Sequence, residues 1–159
     1  MANKPFDIID SDLSDILFRI QLKVGDKEFE GDVRPDLKVD YDNLEEQMER
    51  IPSQYAYWGM VYSEAKRTVA ILDKRARLRR GQVARELLNM AREEKIRLHR
   101  GDIEDLVETD AALLKLEISL ADANRTAGKL WNVSKALEIK SDVLRSLAGF
   151  KRQEQHLSR

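Results

Sequence analysis

The chain of 159 residues contains no cysteine. That excludes a disulfide framework, an iron–sulfur cluster, a thiol nucleophile and the usual structural zinc site. Three Pro and seven Gly supply too few turns for an all-β sandwich or barrel. Aromatics make up only 6%. No run approaches 18 apolar residues, so no membrane span is expected. The opening, MANKPFDIIDSDLSD, is acidic and lacks the apolar stretch of a secretion signal. These absences predict one soluble, reducing, cytoplasmic domain.

Imidazole is nearly missing too, with His99 and His156 the two instances. His99 is placed where a cationic helix end would want it, and His156 lies near the end of the chain. There is no Gly-x-x-x-x-Gly-Lys loop for nucleotide hydrolysis. Acid pairs such as Glu45 and Glu49 lack the accompanying Glu-x-x-His of a di-iron bundle. A non-enzyme without metal or cofactor is expected.

What is present is charge. Asp, Glu, Lys and Arg make up 36% of the chain, above the roughly 25% usual for globular domains, and the composition is that of long helices. The net charge of −1 is unevenly divided. Residues 1–50 hold seven basic and fourteen acidic side chains, residues 51–100 twelve and five, and residues 101–159 nine and ten. Between residues 66 and 85 eight cations face one acid, Asp73. Such segregation points to a polyanion-binding segment or to self-association between oppositely charged parts. The plain alternative is a well-solvated helix.

Four regions follow along the chain: residues 1–35, 36–101, 102–150 and a polar, frayed tail at 151–159. Phe18, Ile20, Leu22 and Val24 alternate with polar residues, which predicts a half-buried strand. Gly25-Asp26 is a turn signal, and residues 27–33 can return as a partner strand, weakened by Gly31. Arg34-Pro35 breaks the pattern, with Arg34 pushed out of helical space. Asp42 or Asn43 then caps a helix, completed by Glu45 or Glu46. Pro52 predicts a kink or break, with Ser53 as a new cap. Beyond it Trp58, Tyr62, Ala65, Val69, Leu72, Ala76, Arg79, Val83, Leu87 and Met90 follow steps of four and three, the seam of a coiled coil. This helix is expected to end near His99, with Gly101 as its C-terminal cap.

Asp102 is expected to cap the next helix, which carries two adjacent seams. Leu106, Leu113, Leu120 and Ala127 form one, and Val107, Leu114 and Ala121, with Ala111 and Ile118, the other. Gly128 and Asn132 are expected to interrupt it before a last helix with Val133, Ala136, Leu137, Lys140, Leu144, Leu147 and Ala148 in register. Two seams imply more than one neighbour. The expected oligomerisation residues are Leu113, Leu120, Ala127, Leu137, Leu144 and Leu147. The fold class is therefore mainly α: long helices in a helical hairpin or coiled-coil oligomer, with a small N-terminal β-hairpin.

On a helical wheel centred on Lys74, the apolar seam occupies an arc of about 160° to 220°. Lys66, Arg67, Lys74, Arg77, Arg80 and Arg85 fall between about 240° and 20°. Arg75 and Arg79 lie on the other side of the seam. A stripe of this length extends about 30 Å and can follow several phosphates of one strand. Tyr55 and Tyr57, just upstream, could stack on unpaired bases, whereas Trp58 and Tyr62 sit on the seam and read as core.

The order of these features resembles the recombination mediators of T4-type phages, the UvsY family. The resemblance rests on Ile51-Pro52-Ser53-Gln54-Tyr55 and on Trp58 with Tyr62-Ser63-Glu64-Ala65-Lys66-Arg67. It continues in the basic helix, in Asp110, Leu113, Leu114, Leu116 and Leu120, and in Ala136-Leu137-Glu138-Ile139-Lys140-Ser141. It covers roughly residues 36–150. It implies a helical homo-oligomer, ring-shaped in the best-known member, in the host cytoplasm if phage-encoded. Such a protein binds single-stranded DNA, displaces or remodels the single-strand-binding protein, and loads a RecA-like recombinase. Family DNA contacts correspond to Lys74, Arg75, Arg77, Arg79 and Arg80, and the oligomerising part to about residues 127–148. The hairpin at 16–33 is an addition to the family pattern. The competing expectation is a structural or protein-interaction oligomer, a virion or assembly component whose basic helix pairs with acidic segments of neighbouring subunits. An RNA-binding regulator differs only in ligand.

Overall fold

A computed structural model describes residues 18–24 and 27–157. The elements are β1 (Arg19–Val24), β2 (Lys27–Asp32), α1 (Arg34–Leu37), α2 (Leu44–Glu93), α3 (Arg100–Glu108) and α4 (Ala111–Leu157). The protein is mainly helical: α2 and α4 pack as an antiparallel hairpin, beside a small two-stranded sheet. By its internal contacts the chain divides into two units, Ala65–Arg125 and the pair of segments Met1–Glu64 and Thr126–Arg159.

In the second of these units, β1 and β2 pair antiparallel with Ile20 opposite Gly31 and Leu22 opposite Phe29. The expected alternation is realised, since Ile20 and Leu22 are buried and Arg19 and Gln21 exposed. The expected turn at Gly25-Asp26 lies outside the described residues. Gly31 has a packing reason: a Cβ there would stand 3.0 Å from the Phe29 ring and 3.3 Å from the Trp58 ring. The strand lies against an aromatic cluster in which Trp58 meets Phe29 and Tyr57 edge-on.

Arg34 is not excluded from helical space, because it opens α1 with Pro35 in the first turn, where the missing N–H costs nothing. The Asp32 carboxylate accepts the Arg34 backbone N–H at 2.9 Å. Hydrogen bonds from the Arg34 side chain hold that carboxyl below its ordinary pKa. From α1, Asp36 fastens the helices of this unit together. Its carboxylate accepts the Trp58 indole N–H at 2.7 Å and the Gln54 amide at 2.9 Å. Its carbonyl accepts the ammonium of Lys140 at 2.8 Å. Lys140 is only 5% exposed, and burial lowers its pKa. Leu44, Ile51 and Leu144 form the adjacent apolar core, with Val39, Met48 and Leu147 around it.

The break at Pro52 does not occur, for α2 runs through it. Ser53, rather than capping a new helix, donates its hydroxyl to the Arg50 carbonyl at 2.8 Å. Asn43 does precede α2, and its carbonyl accepts the Gln47 N–H at 3.2 Å. Its side-chain amide, however, turns to Asp40 at 2.9 Å. That contact is the main reason the Asp40 carboxyl lies below its ordinary pKa. Similarly, α4 continues unbroken through Gly128, Asn132 and Gly149, and the supposed frayed tail is helical to Leu157. Packing along a continuous seam outweighs the roughly 1 kcal/mol that one glycine costs a helix.

In the unit of Ala65–Arg125, α2 stops at Glu93, well short of Gly101. Lys95 takes the left-handed conformation at φ 56. Ile96 N–H then bonds the Ala91 carbonyl at 2.9 Å and Lys95 N–H the Arg92 carbonyl at 3.3 Å, the paired bonds of a Schellman stop. Gly101 lies inside α3. The cap of α3 is His99, and Asp102 serves from three residues on, accepting the His99 backbone N–H at 2.9 Å. The expected single helix from Asp102 is divided at Thr109 and Asp110. The core here joins Ala76, Val83, Val107 and Leu113, with Ala84, Leu87, Ile103 and Leu116 packed on it.

Candidate nucleic-acid interface

The seam of α2 determines which side chains remain for solvent. Ala65, Ala76 and Val83 are buried and Val69, Leu72 and Leu87 half-buried. Met90, counted with the seam from sequence, is exposed because the helix terminates one turn later. The opposite face therefore points outward. Steps of four and three along it give Arg67, Ile71, Lys74, Leu78 and, one turn past Gly81, Arg85, all exposed. No acid interrupts that row, while Lys66, Asp73 and Arg80 flank one side and Arg75 the other.

All eight expected DNA-contacting cations thus lie on one helix within one unit, but they differ in their engagements. Arg79 occupies a seam slot and is 30% exposed, with Asp110 at 18%. The two form a forked pair with N···O distances of 3.0 and 2.6 Å, and Glu86 adds a longer contact at 3.9 Å. Asp110 also accepts the Leu113 backbone N–H at 2.7 Å, so it caps α4 while Arg79 clamps it. Hydrogen bonding from Arg79, then from Leu113, lowers the Asp110 pKa to about 2, and the same pair raises that of Arg79. The Arg79 guanidinium thereby joins α2 to the start of α4. Arg80 pairs with Glu117 at 2.6 Å and Arg77 with Asp73 at 3.0 Å, both at solvent-exposed positions. Arg85 donates to the Gly81 carbonyl at 3.2 Å. Among the described residues, Lys66, Lys74 and Arg75 have no ion pair.

Tyr55 and Tyr57 belong to the other unit. Tyr55 donates its hydroxyl to Glu138 at 3.1 Å. Glu138 is held below its ordinary pKa chiefly by Lys135 and secondarily by this hydroxyl. Tyr57 packs its ring against Phe29 and Trp58 and leaves a partly exposed edge. Trp58 is buried, as its seam position predicts.

The residues expected to oligomerise differ in burial. Leu113, Leu137 and Leu144 are fully buried, Ala127 is buried, and Leu120 and Leu147 are half-buried. Of these, Leu113 belongs to the apolar core of one unit, and Leu144 and Leu147 to that of the other. α4 leaves outside Leu114 and Ile118 of the second seam in one unit, and Ile139, Val143 and Phe150 in the other. Ile71 and Leu78 lie among the cations of α2. Both are exposed on the wheel beside Lys74.

Among the described residues no three His, Asp or Glu side chains are grouped so as to hold a metal ion. No helix among them is long and apolar enough to cross a membrane. Comparison with models of known families, with curated proteins and with solved structures finds no match to this chain.

Proposed function

We propose that this protein binds single-stranded DNA along the outward face of α2 between Lys66 and Arg85, and acts as a recombination mediator. In this role it helps a RecA-like recombinase onto DNA coated by single-strand-binding protein. The observation that carries the reading is the acid-free outward row of Arg67, Lys74 and Arg85, flanked by Lys66 and Arg75. The recombination setting is supported by the resemblance of the sequence features to the phage mediators. Each subunit offers a short stripe, so affinity for a long strand comes from several copies acting at once through effective concentration. The exposed second seam of α4 is the surface suited to bring copies together. No chemical step is involved, and neither metal nor cofactor takes part.

The test is binding to single-stranded DNA over a range of salt. Each phosphate neutralised contributes about 0.7 to the log–log slope for a single strand. Replacing Lys66, Lys74 and Arg75 together with Ala should therefore flatten the slope by about 2, with far-ultraviolet circular dichroism unchanged. Binding by the parent that is independent of salt would overturn the reading.

A second reading, a structural oligomer without a nucleic-acid ligand, is favoured by the exposed row of Ile139, Val143 and Phe150. Mass measurement with and without single-stranded DNA separates the two, since the structural oligomer gains no DNA mass.

A further inference from the structure

The outward row of α2 is not purely cationic. Ile71 is 42% exposed and Leu78 56% exposed, seven residues apart on the same line as Arg67, Lys74 and Arg85. Two exposed aliphatic side chains would be unremarked if scattered. Here they alternate with cations on a row that points away from the apolar core of their unit and holds no carboxylate of its own.

Resting on the nucleic-acid reading above, we propose that Ile71 and Leu78 are the residues that select single strands over duplex. Arg67, Lys74, Arg75 and Arg85 attract either form through its phosphates. A duplex keeps its base faces stacked inside, out of reach of a helix lying along the backbone. A single strand can turn its bases toward the protein. The side chains of Ile71 and Leu78, about 10 Å apart along the helix, then cover two base faces while the intervening Lys74 holds the phosphate between them. The gain is apolar area removed from water, and only the unpaired form supplies it. Between Lys66 and Arg85, Ile71 and Leu78 are the exposed large apolar side chains interleaved with the cations.

The experiment measures binding of the full chain to an oligothymidine and to a length-matched duplex, by fluorescence anisotropy at two salt concentrations. Ile71→Ser with Leu78→Ser should weaken single-strand binding about tenfold and duplex binding less than twofold, with the salt slope unchanged. Ile71→Tyr with Leu78→Tyr should strengthen single-strand binding and raise the ratio, because an aromatic ring stacks better on a base. This variant also decides the matter if the serine variant fails to fold. If the parent shows no salt-dependent binding, the nucleic-acid reading itself falls. If the parent binds but neither variant moves the single-strand to duplex ratio, the selection role is overturned and the electrostatic reading stands. A changed subunit count with an unchanged ratio likewise overturns it, by assigning the face to contact between copies.

Discussion

Asp36 provides the sharpest test of how this fold is held. Three elements meet on it: the Trp58 indole and Gln54 amide from α2 reach its carboxylate, and Lys140 from α4 reaches its carbonyl. A hydrogen bond to a charged group contributes about 1.5–3 kcal/mol. Asp36→Asn keeps the shape but presents an NH₂ to one of the two donors, so one bond is broken and a destabilisation of about 1.5–3 kcal/mol is expected. Trp58→Phe removes the indole donor and part of a ring that is only 2% exposed, and costs more. The informative quantity is the coupling in the double variant. If both single substitutions act chiefly by breaking the carboxylate–indole bond, the double variant should be less destabilised than the sum of the singles by about 1.5–3 kcal/mol. Urea unfolding followed by far-ultraviolet circular dichroism measures this at one fixed protein concentration. A slope of about 1–3 kcal/mol per molar urea turns the Asp36→Asn destabilisation into a midpoint shift of about 1 M. Additivity within about 0.5 kcal/mol would falsify the account of Asp36 as a fastening point.

Two further outcomes concern the cations of α2. Asp110 has its pKa lowered from 3.8 to about 2 in the folded protein, so the folded state binds fewer protons than the unfolded one in between. Its stabilising contribution is complete above the unfolded value and disappears as pH falls through about 2. Asp110→Asn should therefore lower the melting temperature at neutral pH, and its gap from the parent should narrow from about pH 4 downward; a gap that stays constant to pH 2 refutes the Arg79 clamp. Glu117→Gln releases Arg80 from an exposed pair, which should leave stability within about 0.5 kcal/mol. It should steepen the salt slope for single-stranded DNA by about 0.7, and an unchanged slope shows that Arg80 takes no part in binding.

The helices were legible because their seams are. Trp58, Ala65, Ala76 and Val83 could be placed inside by spacing alone, and so could Leu137 and Leu144. The hairpin was legible in the alternation of Ile20 and Leu22. Ends and interruptions were not, since they depend on hydrogen bonds with no strong signature in composition. Lys95 performs the left-handed stop that Gly101 was expected to provide, and Asp110 caps the start of α4. At Pro52 and Gly128 local preference favours a break, and both helices run on through them. For the candidate site, position on the wheel separated the cations from the core correctly. What spacing could not reveal is which arginine has a carboxylate waiting on another helix, as Arg79 and Arg80 do. A heptad likewise shows that a partner exists without saying whether it lies in the same chain.

That the main seam is closed within the chain has a kinetic consequence. The side-chain bonds between the long helices span very different lengths of sequence: 31 residues for Arg79 and Asp110, 37 for Arg80 and Glu117, and 83 for Tyr55 and Glu138. Ring closure becomes costlier as the intervening chain lengthens, so the contacts around Asp110 form at the smallest entropic cost. Closure is thus cheapest at the Thr109–Asp110 corner and costliest where Lys140 meets Asp36 across 104 residues. Substitutions near the corner should slow folding, whereas those near Asp36 should mainly quicken unfolding.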